Sequence, residues 1–107
     1  MPTRREKIEA MLATKPDDAM LRYMLANELD KEGAHDRSLE YFDGLMRDAN
    51  PYVPAFLMAG QQLTRLSRID DARRVLREGI EAARTQGDAH AAGEMSEFLA
   101  GLGKFGE

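Results

Sequence analysis

Residues Met24-Leu-Ala-Asn-Glu-Leu-Asp-Lys31 return in character 34 places later as Met58-Ala-Gly-Gln-Gln-Leu-Thr-Arg65. Met24 aligns with Met58, Leu25 with Ala59, Ala26 with Gly60, Leu29 with Leu63 and Lys31 with Arg65. The register continues through Asp36 and Asp70, Ser38 and Ala72, Phe42 and Leu76, and Met46 and Ile80. Small residues recur at two places of the unit, Ala26/Gly60 and Ser38/Ala72, where antiparallel helices can approach closely because no side chain takes up the room. A unit of this length whose apolar residues recur at three and four places is a pair of helices.

Working outward, the same punctuation covers the whole chain. Thr3-Arg4-Arg5-Glu6 has the capping-box spacing, Ile8, Met11 and Leu12 follow at helical intervals, and Lys15-Pro16 stops the first helix. Asp17 or Asp18 caps a second helix, which runs to about Glu32 and ends at Gly33, a candidate for a left-handed C-cap. A third spans about His35 to Asp48 and is broken by Asn50-Pro51; a fourth starts near Pro51 and runs to about Leu66. Ser67-Arg68-Ile69-Asp70 repeats the cap pattern and opens a fifth, and Asp88 caps a sixth that ends near Leu102. The third and fifth carry single apolar stripes (Leu39, Phe42, Leu45, Met46; Ile69, Ala72, Val75, Leu76, Ile80, Ala83), so each needs one partner. Residues 19–26 are apolar except for Arg22, and residues 52–60 contain no charge. Such helices are covered on several sides or keep a face for a guest.

Composition narrows the function classes. The chain has 107 residues, 43% of them hydrophobic and 32% charged, enough for one ordinary core and too apolar for disorder. It contains no Cys, which excludes disulfides and thiolate zinc sites. Residues 17–50 carry four basic and nine acidic side chains, and the net charge is -4, so little is available to neutralise a phosphate backbone and no nucleic-acid partner is expected. No apolar run approaches a membrane span, the amino terminus lacks a signal-peptide core, and a cytoplasmic location without membrane association is expected.

The 34-residue register with these small positions resembles the tetratricopeptide repeat. Counted from Ala19 and Val53, position four of the unit is Arg22 (a departure from the usual large residue) and Phe56, position eight is Ala26 and Gly60, position twenty is Ser38 and Ala72, and position twenty-seven is Leu45 and Gly79. The family's closing proline falls one place late at Pro51, and Gly87 replaces it after the second unit. The resemblance implies an all-α fold of about six helices, a right-handed superhelical stack of antiparallel pairs forming one domain. Residues 3–16 would supply a half repeat, 19–52 and 53–86 two full repeats, 88–102 a capping helix with Glu94, Ser96 and Glu97 outward, and 103–107 a tail.

No catalytic, metal or cofactor site is expected, and the chain is not expected to be an enzyme. His35 and His90 lack a second ligand at helical spacing and are read as solvated. Gly101-Leu-Gly-Lys-Phe-Gly106 follows a helix and does not have the setting of a phosphate loop. Arg65, Arg68, Arg73, Arg74, Arg77 and Arg84 are read as a solvated face, with Arg74–Glu78 and Arg77–Glu81 as i,i+4 pairs. The resemblance implies a concave groove lined by the first helix of each unit: Met20, Tyr23, Asn27, Asp30 and Lys31, then Pro54, Leu57, Gln61, Thr64 and Arg65. Of these, Met20, Tyr23, Asn27, Lys31, Leu57, Gln61, Thr64 and Arg65 are the expected partner-binding residues, although Met20, Tyr23 and Leu57 could equally pack between helices. An apolar floor, two amides and two cations suit a peptide segment or helix of a partner protein. The family's carboxylate clamp is disfavoured, because Tyr23 stands where its Lys belongs. A homodimer or scaffold using the same surfaces is the alternative, since two full repeats are fewer than usually suffice.

Overall fold

The structure, a computed structural model, describes residues 1–106, with side-chain surroundings through Gly103. Six helices and no strand are present among the described residues: α1 (Arg4–Thr14), α2 (Ala19–Lys31), α3 (His35–Arg47), α4 (Val53–Arg65), α5 (Ile69–Thr85) and α6 (Ala89–Gly106). They form two compact units, Met1–Tyr52 and Val53–Glu107.

Local chemistry sets the helix ends. Thr3 Oγ1 accepts from the Glu6 amide at 3.1 Å while Glu6 Oε1 accepts from the Thr3 amide at 3.0 Å, the reciprocal box that starts α1. Those bonds hold the Glu6 carboxyl below its ordinary pKa. Asp18 accepts from Leu21 N at 2.9 Å and Asp88 from Ala91 N at 3.0 Å, which starts α2 and α6.

The α2–α3 and α4–α5 turns are built alike, each from three residues. Gly33 N donates to Asp30 O and Ala34 N to Leu29 O; 34 positions on, Ser67 N donates to Thr64 O and Arg68 N to Leu63 O. Each is a Schellman closure that needs a left-handed residue, Gly33 at φ 82° and Ser67 at φ 62°. Ser67 therefore does not cap α5, contrary to the sequence expectation; it terminates α4. The residue at the α5 N-cap position is Arg68, whose side chain makes no cap bond there and instead reaches Asp71. Ala34 starts α3 equally without a side-chain cap. In both turns one residue closes a helix with its amide and opens the next with its carbonyl, accepting from Ser38 N and Ala72 N.

Two further expectations are corrected, at the start of α4 and at the end of α6. α4 begins at Val53, so Pro51 precedes its first turn and Pro54 lies in it. Met11 is 46% exposed, and the buried residue of α1 is Ile8. α6 continues through Gly106, so residues 103–106 are helical and Glu107 lies outside the described residues. Leu102 is buried and its carbonyl accepts from Arg73 Nη2 at 3.2 Å, which ties this last stretch to α5 despite its glycines.

In the first unit Ile8, Leu25 and Leu29 form a core against which Leu12, Met24, Ala34 and Tyr41 pack, with Ala26, Phe42 and Leu45 also buried. In the second unit α4 and α5 bury Phe56, Ala59, Leu63, Ala72, Val75, Leu76 and Ile80, and α6 adds Ala92 and Met95. Two glycines set that packing. A Cβ on Gly60 would lie 2.7 Å from Leu76 Cδ2, and one on Gly79 would lie 2.5 Å from Phe56 Cβ and 2.6 Å from Met95 Sδ. At Gly79 α5 therefore has no room for a side chain between Phe56 of α4 and Met95 of α6.

Candidate functional site

In the first unit the expected residues lie along α2. Met20 is 61% exposed, an apolar side chain without cover. Tyr23 is half-buried, its ring 5.4 Å from Tyr52 and 6.1 Å from Phe42 in tilted and edge-on contacts. Burial pushes the Tyr23 phenol above its ordinary pKa; a hydrogen bond with Asn27 opposes this in part, and the neighbouring Tyr52 adds to the rise. The structure therefore brings Tyr23 and Asn27 together and seats the tyrosine beside two aromatic rings, those of Phe42 and Tyr52. Asp30 Oδ1 lies 2.9 Å from His35 Nδ1, so His35 has a carboxylate partner at the turn. Lys31 is exposed, 3.5 Å from Glu28. Arg22, the departure at position four, crosses from α2 to Asp48 at the end of α3 with Nη2 and Oδ2 2.8 Å apart. A salt bridge thus fills the place where the family has a large apolar contact.

In the second unit the residues lie along α4. Pro54 and Arg65 are exposed, and Leu57, Gln61 and Thr64 are half-buried. Thr64 turns back on its own helix, donating from Oγ1 to the Gly60 carbonyl at 2.8 Å. The opposite side of α4 is committed to the core through Ala59, Gln62 and Leu63.

Two residues went unread in the sequence, one beside the candidate site and one in the core. Tyr52, the second ring beside Tyr23, stands between Pro51 and Val53 outside any helix; its amide donates to the Leu45 carbonyl at 3.0 Å, which anchors it beside α3. Only its aromatic character next to a helix break marked it. Gln62 is fully buried, and its place three residues after Ala59 and seven after Ala55 was the available signal.

The basic residues of α5 are largely engaged within their own helix. Arg68 pairs with Asp71, Arg73 with Asp70, and Arg74 with Asp71 and Glu78. Glu81 pairs with Arg84 at 3.1 Å, a partner at i+3 where the sequence suggested Arg77. His90 lies 3.2 Å from Glu94. Among the described residues no group of three or more His, Asp or Glu could hold a metal ion, and no helix is long and apolar enough to cross a membrane.

Antiparallel helix pairs in a 34-residue register, joined by matching three-residue turns, define a helical-repeat protein. The comparisons give the kind of repeat. No family model matches the chain. A tetratricopeptide repeat domain protein from Salinibacter ruber, solved in solution, is 33% identical, with a TM-score of 0.75 over 81% of this chain and 88% of that one. A protein from Bordetella parapertussis, also solved in solution, is 28% identical, with a TM-score of 0.80 over 97% of this chain and 90% of its own. A TPR repeat-containing protein of Pseudomonas aeruginosa is 29% identical over 94 residues, 88% of this chain and 90% of that protein. The chain belongs to the tetratricopeptide-repeat family.

Proposed function

We propose that this chain is a non-catalytic cytoplasmic adaptor that binds a peptide segment or helix of a partner protein. The binding residues are Met20, Tyr23, Asn27 and Lys31 on α2 of the first unit, with Leu57, Gln61, Thr64 and Arg65 on α4 of the second. The observation that carries this reading is the exposed apolar side chain of Met20 on α2, 61% exposed and three residues before the half-buried Tyr23, whose ring lies 5.4 Å from that of Tyr52. An exposed methionine adapts its shape to a guest, and tyrosine offers area at low entropic cost. Asn27 and Gln61 can pair with a peptide backbone, and Arg65 can receive a carboxylate.

The test is capture of a partner from native lysate by the wild-type chain and by a Met20→Asp, Leu57→Asp double variant, with helicity followed by circular dichroism. Loss of a captured protein at unchanged helicity supports the assignment; the same proteins held by both baits would contradict it.

A further inference from the structure

α1 is held to the first unit more lightly than α3. Its one fully buried side chain is Ile8, whereas α3 buries Ser38, Phe42 and Leu45. Eleven residues make a helix too short to persist alone in water, so its order depends on docking. Leu12 packs half-buried against the same core, and ion pairs supply the polar part of its hold. Arg4 Nε lies 2.7 Å from Glu28 Oε1, and Arg5 Nε bridges both oxygens of Glu32 at 2.9 and 3.0 Å. Each pair has one exposed partner, Arg4 at 68% and Glu32 at 44%, and one more covered, Glu28 at 12% and Arg5 at 30%, so salt screens these attractions in part. The connection to α2 runs through Lys15, Pro16 and Asp17, all exposed.

Beneath α1 lies a seat of defined chemistry. Leu25 and Leu29 of α2 form its floor, Tyr41 of α3 its wall, and Glu28 and Glu32 an acidic rim. What fits that seat is visible, because α1 occupies it: a helix with two arginines in its first turn, an isoleucine one turn on and a leucine one turn further. Every second copy of the chain carries that same helix. We propose that α1 is a salt-sensitive latch that docks reversibly in this seat, and that the vacated seat accepts the α1 of a second copy. Exchange of an identical element between copies needs no new complementarity, only release at the connection.

The test has two parts. Hydrogen exchange of the full chain is followed at about 50 mM and about 500 mM NaCl, where the screening length shortens several-fold. Amides of residues 8–14 exchange faster than those of α3 and accelerate about threefold or more at the higher salt, while α3 and α5 do not change. A labelled synthetic peptide of residues 1–16 is then titrated into the full-length Ile8→Asp variant, whose own α1 is released. The peptide binds, Glu32→Arg in that variant weakens binding about tenfold, and a peptide carrying Arg5→Glu restores it. Exchange of α1 in step with α3 at both salts would overturn the latch. Absence of peptide binding by a variant whose α3 and α5 amides stay protected would overturn the exchange between copies.

Discussion

Ser38 donates its hydroxyl to the Ala26 carbonyl at 2.6 Å, and one repeat later the corresponding carbonyl, that of Gly60, accepts from Thr64 at 2.8 Å instead. The same backbone oxygen gains a side-chain donor in both units, from α3 in the first and from α4 itself in the second. Position 72 is therefore free to be alanine, whereas position 38 carries a bond between helices. Ser38→Ala should cost about 1 kcal/mol for the lost buried bond. Ser38→Leu, at a site with no exposed surface, should cost about 2 kcal/mol or more through overpacking. Chemical denaturation of the full chain measures both.

Glycines of this chain divide by what surrounds them. A Cβ at Gly79 would meet Phe56 Cβ, which is fixed to the α4 backbone, so Gly79→Ala should destabilise by about 1–3 kcal/mol despite its better helix propensity. At Gly44 and Gly93 no described atom lies within 4 Å of an added Cβ, and alanine at either should stabilise by about 0.5–1 kcal/mol. Thermal unfolding of the three single variants reads the difference in sign.

Ser67 holds a left-handed conformation that its repeat counterpart Gly33 adopts without strain. Ser67→Gly should stabilise the chain by about 1 kcal/mol, and Gly33→Ala should destabilise it by a similar amount. A Ser67→Gly variant that lost stability, as removal of a true N-cap would cause, would show that the hydroxyl serves α5 after all.

Burial raises the Tyr23 phenol above the ordinary tyrosine value of 10.0, so the folded state holds this proton more tightly than the unfolded chain. Its contribution to stability is complete below about pH 10 and is lost as pH rises through the higher folded value. Absorbance titration near 295 nm should show a tyrosine component ionising above pH 10 that Tyr23→Phe removes. The same variant should flatten the fall in stability on the alkaline side.

Much of this was legible in the residues. The 34-place register, the Thr3–Glu6 box, the Asp18 and Asp88 caps and the Gly33 stop all act through short-range chemistry, and each appears where its spacing placed it. Ser67 misled because a hydroxyl two residues before a helix looks the same whether it caps the next helix or closes the last; only the backbone angle distinguishes them. The end of α6 misled because glycine spacing says nothing of the burial of Leu102 or its tie to Arg73. On α2 the family resemblance pointed to Tyr23 and Asn27 but not to Tyr52, which reaches Tyr23 from outside any periodic segment. The same resemblance pointed to Lys31 as a cation without marking Glu28, which lies 3.5 Å from it.

The central claim is that the exposed face of α2 holds a partner protein. Photo-crosslinking tests it most directly, with a benzophenone side chain placed at position 20, and in a separate chain at position 40, where Glu40 is exposed on α3. A single partner joined through position 20 and absent from position 40 is the predicted result. Equal labelling from both positions, or labelling from position 40 alone, would contradict the account and move the interface to α3.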